Sequence, residues 1–144
     1  MRRRQAIGIL LAGLLAACND APGELPQDAV QDRLPGTWLR EFDEKGVHVR
    51  RVLVLESDGK FRETVRLNDA SGAIIEHNHA GTWLYDGTNL KRKYTSMDGK
   101  PTAAPTVPFA AFELKFPSRN EFIGIDTVHK REVRYQRVQP ETLP

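Results

Sequence analysis

Apolar and polar residues alternate with a period of two along most of the chain. In residues 60–68, one face is mostly apolar and the other is polar. The first face carries Phe61, Glu63, Val65 and Leu67. Because successive side chains of a strand point to opposite faces, this pattern predicts a half-buried β-strand. Similar runs recur between turn signals such as Asp58-Gly59 and predict a series of short strands. The predicted strands lie near residues 36–42, 47–56, 60–68, 73–85, 88–96, 109–116, 120–126 and 131–138.

Residues 25–34, before the strands, follow a helical spacing. Pro26 suits the first turn of a helix, and Val30 and Leu34 are four positions apart, which places them on one helical face. Pro35-Gly36 then ends the helical pattern. The sequence therefore predicts one short helix immediately before the first strand.

One segment, residues 97–108, has no periodic pattern and contains three prolines. Loops of this length in a compact domain are usually functional or mobile. In an up-and-down barrel the connections alternate between the two ends. A connection after the fifth strand is therefore expected at the end opposite the helix, beside residues 43–46 and 69–72. We expect it to act there as a mobile lid over the barrel opening.

The first 18 residues have the features of an export signal. Three arginines, residues 2–4, precede 12 apolar residues, 6–17, a run too short for a transmembrane helix of about 20 residues. The run ends in Leu15-Ala16-Ala17-Cys18, which resembles the lipobox of bacterial lipoproteins. The resemblance implies that Cys18, the only cysteine, carries lipid and becomes the N-terminus. The alternative is a signal that the ordinary signal peptidase cleaves, with a chance cysteine nearby.

A lipidated Cys18 would place the protein in the bacterial cell envelope, with the membrane as a partner through its N-terminal lipid. Asn19 follows Cys18, where an Asp commonly signals retention in the inner membrane. We therefore expect the outer membrane, facing the periplasm. The predicted divisions of the chain are a signal peptide at 1–18, a tether and short helix at 19–34, and a barrel domain at 35–140.

Removal of the signal changes the charge balance. The chain has 21 Lys+Arg and 19 Asp+Glu, and loss of the three arginines leaves 18 basic against 19 acidic residues. Because the mature chain is close to neutral, we predict no nucleic-acid partner.

The tetrapeptide Gly-Thr-Trp-Leu occurs twice and contains both tryptophans, Trp38 and Trp83. The flanking residues of the two copies differ, which argues against an internal repeat and favours two similar structural roles. The order of motifs resembles lipocalin-like proteins of the calycin group. The matching motifs are Gly36-Thr37-Trp38, Asp58-Gly59-Lys60-Phe61, Gly81-Thr82-Trp83 and Leu90.

This resemblance implies an all-β fold, a single antiparallel up-and-down β-barrel of about eight strands with a short N-terminal helix. In such barrels a basic residue of the last strand stacks on the tryptophan of the first strand. Arg134 and Arg137 are the two candidates for a structural contact of this kind with Trp38.

Several residues are candidates for binding a ligand inside the barrel. His77 and His79 are two positions apart on one strand and face the same side, as do Arg92 with Tyr94 and Tyr135 with Arg137. The arginine–tyrosine pairs could hold a ligand carboxylate. Alternatively they fill the core, with an arginine paired to an internal acid such as Glu63 or Glu113. Two histidines without a third ligand give a weak metal signal, and we predict neither a metal nor a cofactor.

The sequence contains no nucleophile elbow, zinc-protease motif or phosphate-binding loop, and we predict that the protein is not an enzyme. The function that we expect is a membrane-anchored envelope lipoprotein that binds a small apolar or amphipathic ligand in its barrel. The alternative is a packed barrel that interacts with an envelope protein, as an inhibitor or an assembly accessory.

Overall fold

A computed structural model describes residues 27–103, 108–126 and 128–144. Cys18 with its signal segment and residues 104–107 of the expected lid lie outside the described residues. Helix α1 spans Gln27–Arg33. Nine strands follow it in the described residues: β1 Gly36–Glu44, β2 Val47–Leu55, β3 Lys60–Asn68, β4 Ile74–Tyr85, β5 Asn89–Met97, β6 Lys100–Pro101, β7 Phe109–Ser118, β8 Glu121–Asp126 and β9 Arg131–Val138.

Eight of these strands close into a barrel in which every pairing is antiparallel. Each strand pairs with the next along the chain, β5 pairs directly with β7, and β9 pairs with β1 to complete the ring. The prediction of an all-β antiparallel barrel of about eight strands with a short N-terminal helix is confirmed. The pairing that completes the ring joins the first part of β1, Thr37–Leu39, to the last part of β9, Gln136–Val138.

The two-residue strand β6 was not predicted, because the sequence after Met97 lacks an alternating pattern. Asp98 and Gly99 both adopt positive φ, 50° and 75°, as the two central residues of a tight hairpin turn. The turn brings Lys100 back opposite Met97, and the Thr102 N–H then donates to the Thr95 carbonyl. The expected loop therefore starts as a short hairpin along the end of β5.

The two ends of the barrel are built differently. At the end where β1 begins, the helix end, Val30 and Leu34 are buried in one cluster with Trp38, Leu53 and Phe61. Helix α1 and this apolar cluster therefore close the helix end. The β1–β2 and β3–β4 connections lie at the opposite end, the far end, where β5 and β8 also end, because strand direction alternates around the ring.

The two Gly-Thr-Trp copies make the same kinds of contact. The indole N–H of Trp38 donates to the Leu34 carbonyl, and that of Trp83 donates to the Glu56 carbonyl, both at 2.8 Å. Each copy also favours its glycine, because Gly36 has a φ of 140°, which L side chains rarely adopt, and a Cβ at Gly81 would overlap the Lys93 backbone carbonyl. The repeated motif is therefore one structural solution used at two places.

Candidate functional site

Glu63 is a buried carboxylate in the middle of the barrel interior. Phe61 and Val65, two positions before and after Glu63 on β3, are also buried. Residues two positions apart share a face, so the Glu63 side chain lies on the inner face. His79 lies directly opposite Glu63 on β4 and therefore shares that face.

Three side chains converge on Glu63. A guanidinium nitrogen of Arg92 lies 2.7 Å from Oε2, and a guanidinium nitrogen of Arg51 lies 3.3 Å from Oε1. Nδ1 of His79 lies 3.2 Å from Oε1. Burial alone would raise the pKa of Glu63, but Arg92, His79 and Arg51 outweigh it and hold the pKa at about 2. Glu63 is therefore ionised at neutral pH.

Arg92 is enclosed by aromatic rings. Its guanidinium carbon lies 5.6 Å from the ring centroids of Phe61 and Tyr94 and 5.9 Å from that of Phe112. Burial opposes its charge, but the Glu63 carboxylate raises the pKa of Arg92 above its usual value. Burial likewise raises the pKa of the Tyr94 hydroxyl to about 12, so this hydroxyl stays protonated at neutral pH.

The positive charges around Glu63 outnumber the negative ones. Arg40 of β1 lies directly opposite Arg51 of β2, on the face that Arg51 shares with Glu63. Arg40 forms no ion pair with a carboxylate of the described residues, and Tyr135 lies close to it. Arg51 and Arg92 contact the Glu63 carboxylate, and Arg40 lies beside Arg51. We name these three arginines with Glu63 the arginine cluster.

Two atoms of the arginine cluster lack partners. Nε of Arg51 and Nε of Arg92 are buried without a hydrogen-bond partner in the described part of the chain. Native proteins usually pair such groups, and unpaired ones occur at functional sites. Arg51 keeps 25% of its side-chain exposure and His79 keeps 15%, so solvent reaches this side of the cluster.

The remaining candidates from the sequence lie in three places. His77 is at the far end, with its Nδ1 2.9 Å from an Asp98 carboxylate oxygen and its ring stacked on His79 at 6.3 Å. Tyr135 is buried in the core, where its ring stacks on Phe122 at 4.9 Å. Arg92, Tyr94 and His79 are thus brought together, whereas His77 is directed towards Asp98.

Arg137 and Tyr135 contact different groups. The guanidinium of Arg137 lies 4.3 Å from the ring centroid of Trp38 and donates to the Pro35 carbonyl at 2.9 Å, so it belongs to the helix end. The other candidate for that stacking position, Arg134, is exposed and pairs with Glu121 and Glu132 on the outer face. The arginine that stacks on Trp38 is therefore Arg137.

Sequence reasoning missed Arg40 and Arg51. Arg51 stands between Val49 and Leu53 at the inward positions of an alternating strand, which is the signal that could have found it. The adjacent Arg50 hides this signal, because two consecutive arginines on a strand are typical of a solvated basic face. The structure separates them, since Arg50 contacts Glu41 on the outer face and Arg51 contacts Glu63 inside.

Neither a protein-family model nor a curated protein matches this sequence. The closed eight-stranded barrel is compatible with a lipocalin-like fold. Within residues 27–103, 108–126 and 128–144, no helix is long and apolar enough to cross a membrane. The same residues contain no group of three or more His, Cys, Asp or Glu side chains arranged to hold a metal ion.

Proposed function

We propose that this protein is a membrane-anchored envelope lipoprotein whose barrel binds a small amphipathic ligand in the interior half nearest the far end. The observation that carries the proposal is an apolar row that lies next to the arginine cluster on the inner face. An amphipathic molecule matches this order, with its polar end at the arginines and its apolar end at the row.

The apolar row, which we name the far-end row, runs across four neighbouring strands. Phe42 lies opposite Val49, Val49 opposite Leu67, and Leu67 opposite Ile75. Residues directly opposite in antiparallel strands share a face, so all four point inward with Glu63 and Arg51. Val49 is buried, but Ile75 remains 55% exposed, an unusual state for an inward isoleucine. A bound apolar chain would cover this surface.

The binding test uses a fluorescent fatty acid probe and two neighbouring isoleucines. Ile75→Asp places a charge on the inner face and should weaken probe binding by about tenfold or more, since a charge in an apolar contact costs at least about 1.4 kcal/mol. Ile74→Asp is the matched control, because Ile74 is similarly exposed, at 52%, but points outward. It should bind the probe like the wild type.

Two results would contradict ligand binding in the barrel. Equal weakening by Ile74→Asp and Ile75→Asp would move the probe site to the outer surface. Failure of the wild type to bind the probe would favour the packed interaction module, for which the filled core at the helix end is the supporting observation.

The membrane anchor is tested by metabolic labelling. Cells that express the full chain with radioactive palmitate should label the wild-type protein but not Cys18→Ser, because the lipobox cysteine is the acceptor. Equal labelling of both proteins would contradict the proposed anchor, whatever the outcome of the probe experiment.

A further inference from the structure

Arg40 and Arg51 form a like-charged pair directly opposite each other on the inner face of β1 and β2. Like charges in this position repel each other, and burial adds a cost to each charge. Burial lowers the pKa of Arg40, and Arg51 lowers it further, against the influence of Tyr135. The free barrel therefore keeps two guanidiniums together at a cost.

The described neighbours balance Arg51 better than Arg40. Glu63 raises the pKa of Arg51 despite burial, whereas Arg40 has no carboxylate partner in the described part of the chain. Glu63 contacts Arg51 but also contacts Arg92 and His79, so its two oxygens serve three partners. The guanidinium of Arg40 lies 4.2 Å from the Phe42 ring centroid, a contact that stabilises a cation without neutralising it. In addition, Nε of Arg51 is buried and has no described hydrogen-bond partner.

The position of the pair in the barrel indicates which chemical group would neutralise the two positive charges. Arg40 and Arg51 lie two residues from Phe42 and Val49 on the same strands, so the pair and the far-end row are adjacent layers of one surface. Guanidinium groups bind carboxylate and phosphate oxygens with paired, charge-assisted hydrogen bonds. Arg92 is less suited to this role, since Glu63 and aromatic rings already surround it.

We propose that the Arg40–Arg51 pair binds the oxyanion headgroup, carboxylate or phosphate, of a single-chain amphiphile whose tail lies along the far-end row. This rests on the proposed ligand-binding function and adds the charge and orientation of the ligand. The headgroup oxygens accept hydrogen bonds from both guanidiniums, and the bound negative charge relieves their repulsion.

Isothermal titration calorimetry of the mature protein with three ligands of equal chain length tests the proposal. Dodecanoate, dodecyl phosphate and dodecanol are each titrated below their aggregation concentrations. At least one of the two anions should bind about tenfold or more tightly than dodecanol, because only an anion makes the charge-assisted hydrogen bonds. The tighter of the two anions then identifies the headgroup.

Variants assign the preference to the pair. Arg40→Met should reduce the anion-to-alcohol ratio to about threefold or less, since it removes one of the two guanidiniums. Arg50→Met is the control, because Arg50 is on the outer face with Glu41 and should leave the ratio unchanged. Arg40→Met should also leave the thermal midpoint of the free protein unchanged or higher, because it removes a repulsion. Arg40→Lys keeps the charge but loses the paired hydrogen bonds of a guanidinium, so it should lower the ratio by less than Arg40→Met does.

The outcomes separate this inference from the function on which it rests. Equal binding of dodecanol and both anions by the wild type would overturn the headgroup site while leaving amphiphile binding in place. No binding of any of the three would overturn both. An unchanged ratio in Arg40→Met and Arg40→Lys, or a lowered thermal midpoint in Arg40→Met, would make Arg40 a structural residue and overturn the proposal.

Discussion

Glu63 and Arg92 form a buried ion pair in the barrel core, and the charge of each residue compensates that of the other. Their closest atoms are 2.7 Å apart, and both side chains are buried. Removal of one partner from such a pair leaves an uncompensated buried charge, which typically costs about 3–5 kcal/mol. The pair therefore restricts this part of the core to one arrangement, in which Arg51 and His79 complete the contacts of the carboxylate.

The lowered pKa of Glu63 predicts a specific acid sensitivity. A carboxyl whose pKa falls from 4.5 to about 2 on folding stabilises the protein above the unfolded-state pKa, and this stabilisation is lost as the pH falls towards 2. The shift corresponds to about 3 kcal/mol. Urea denaturation of the wild type should show this loss between about pH 4.5 and pH 2, in addition to the contributions of other carboxylates.

Glu63→Gln removes the titrating group and gives the matched comparison. We expect it to be less stable than the wild type at pH 7, because Arg92 loses its counter-charge, and to show a shallower fall in stability below pH 4.5. The exposed Glu41→Gln should keep the wild-type slope. A Glu63→Gln slope equal to that of the wild type would show that Glu63 is not a strongly paired carboxylate.

At the scale of elements, local patterning predicts the strands well and the contacts between them poorly. The alternation in residues 60–68 and the turn at Asp58-Gly59 act within one hairpin, and β3 forms where it is expected. Which inward residue meets which depends on register, and β4 shifts its register at Ala80/Gly81. The period of two indicates that Arg92 and Tyr94 share a face. That Arg40 lies opposite Arg51 depends instead on the register of the β1–β2 hairpin.

Strand periodicity also does not predict the different surroundings of Tyr135 and Arg137. They share the inner face of β9, as their spacing predicts, but one step of two residues moves Arg137 to the helix end, opposite Trp38. Two neighbours on one strand therefore have different roles. The depth of a residue in the barrel is set by tertiary pairing, which a single sequence does not reveal.

The irregularity in β4 gives a prediction at this scale. The backbone of Lys93 approaches Gly81 so closely that a Cβ there would overlap the Lys93 carbonyl. Gly81→Ala should therefore destabilise the barrel by more than about 3 kcal/mol, since β4 and β5 must separate to admit the methyl group. The free energy of unfolding in urea measures the effect.

Gly72→Ala is the control for this substitution. Gly72 has positive φ, 84°, but no atom lies within 4 Å of the position that its Cβ would take. Only the left-handed conformation is penalised there, at about 1–2 kcal/mol. If Gly81→Ala is no more destabilising than Gly72→Ala, the close approach of β4 and β5 does not require glycine.

The whole molecule is a barrel with two unlike halves. Helix α1 and the cluster around Trp38 fill the helix end, whereas the other half carries the arginine cluster and the far-end row. On the inner face of this second half, Arg51 and Ile75 both contact solvent. This division is the basis for placing an amphipathic ligand between the arginine cluster and the far end.

The most direct test of this account is methyl NMR spectroscopy of the mature protein during titration with dodecanoate. The account predicts large shift changes for Val49, Leu67 and Ile75 and small ones for Leu34 and Leu55 in the core at the helix end. The outward Ile74 and Leu84 should not shift. Changes confined to the outward methyl groups, or no changes at a saturating ligand concentration, would contradict ligand binding in the barrel.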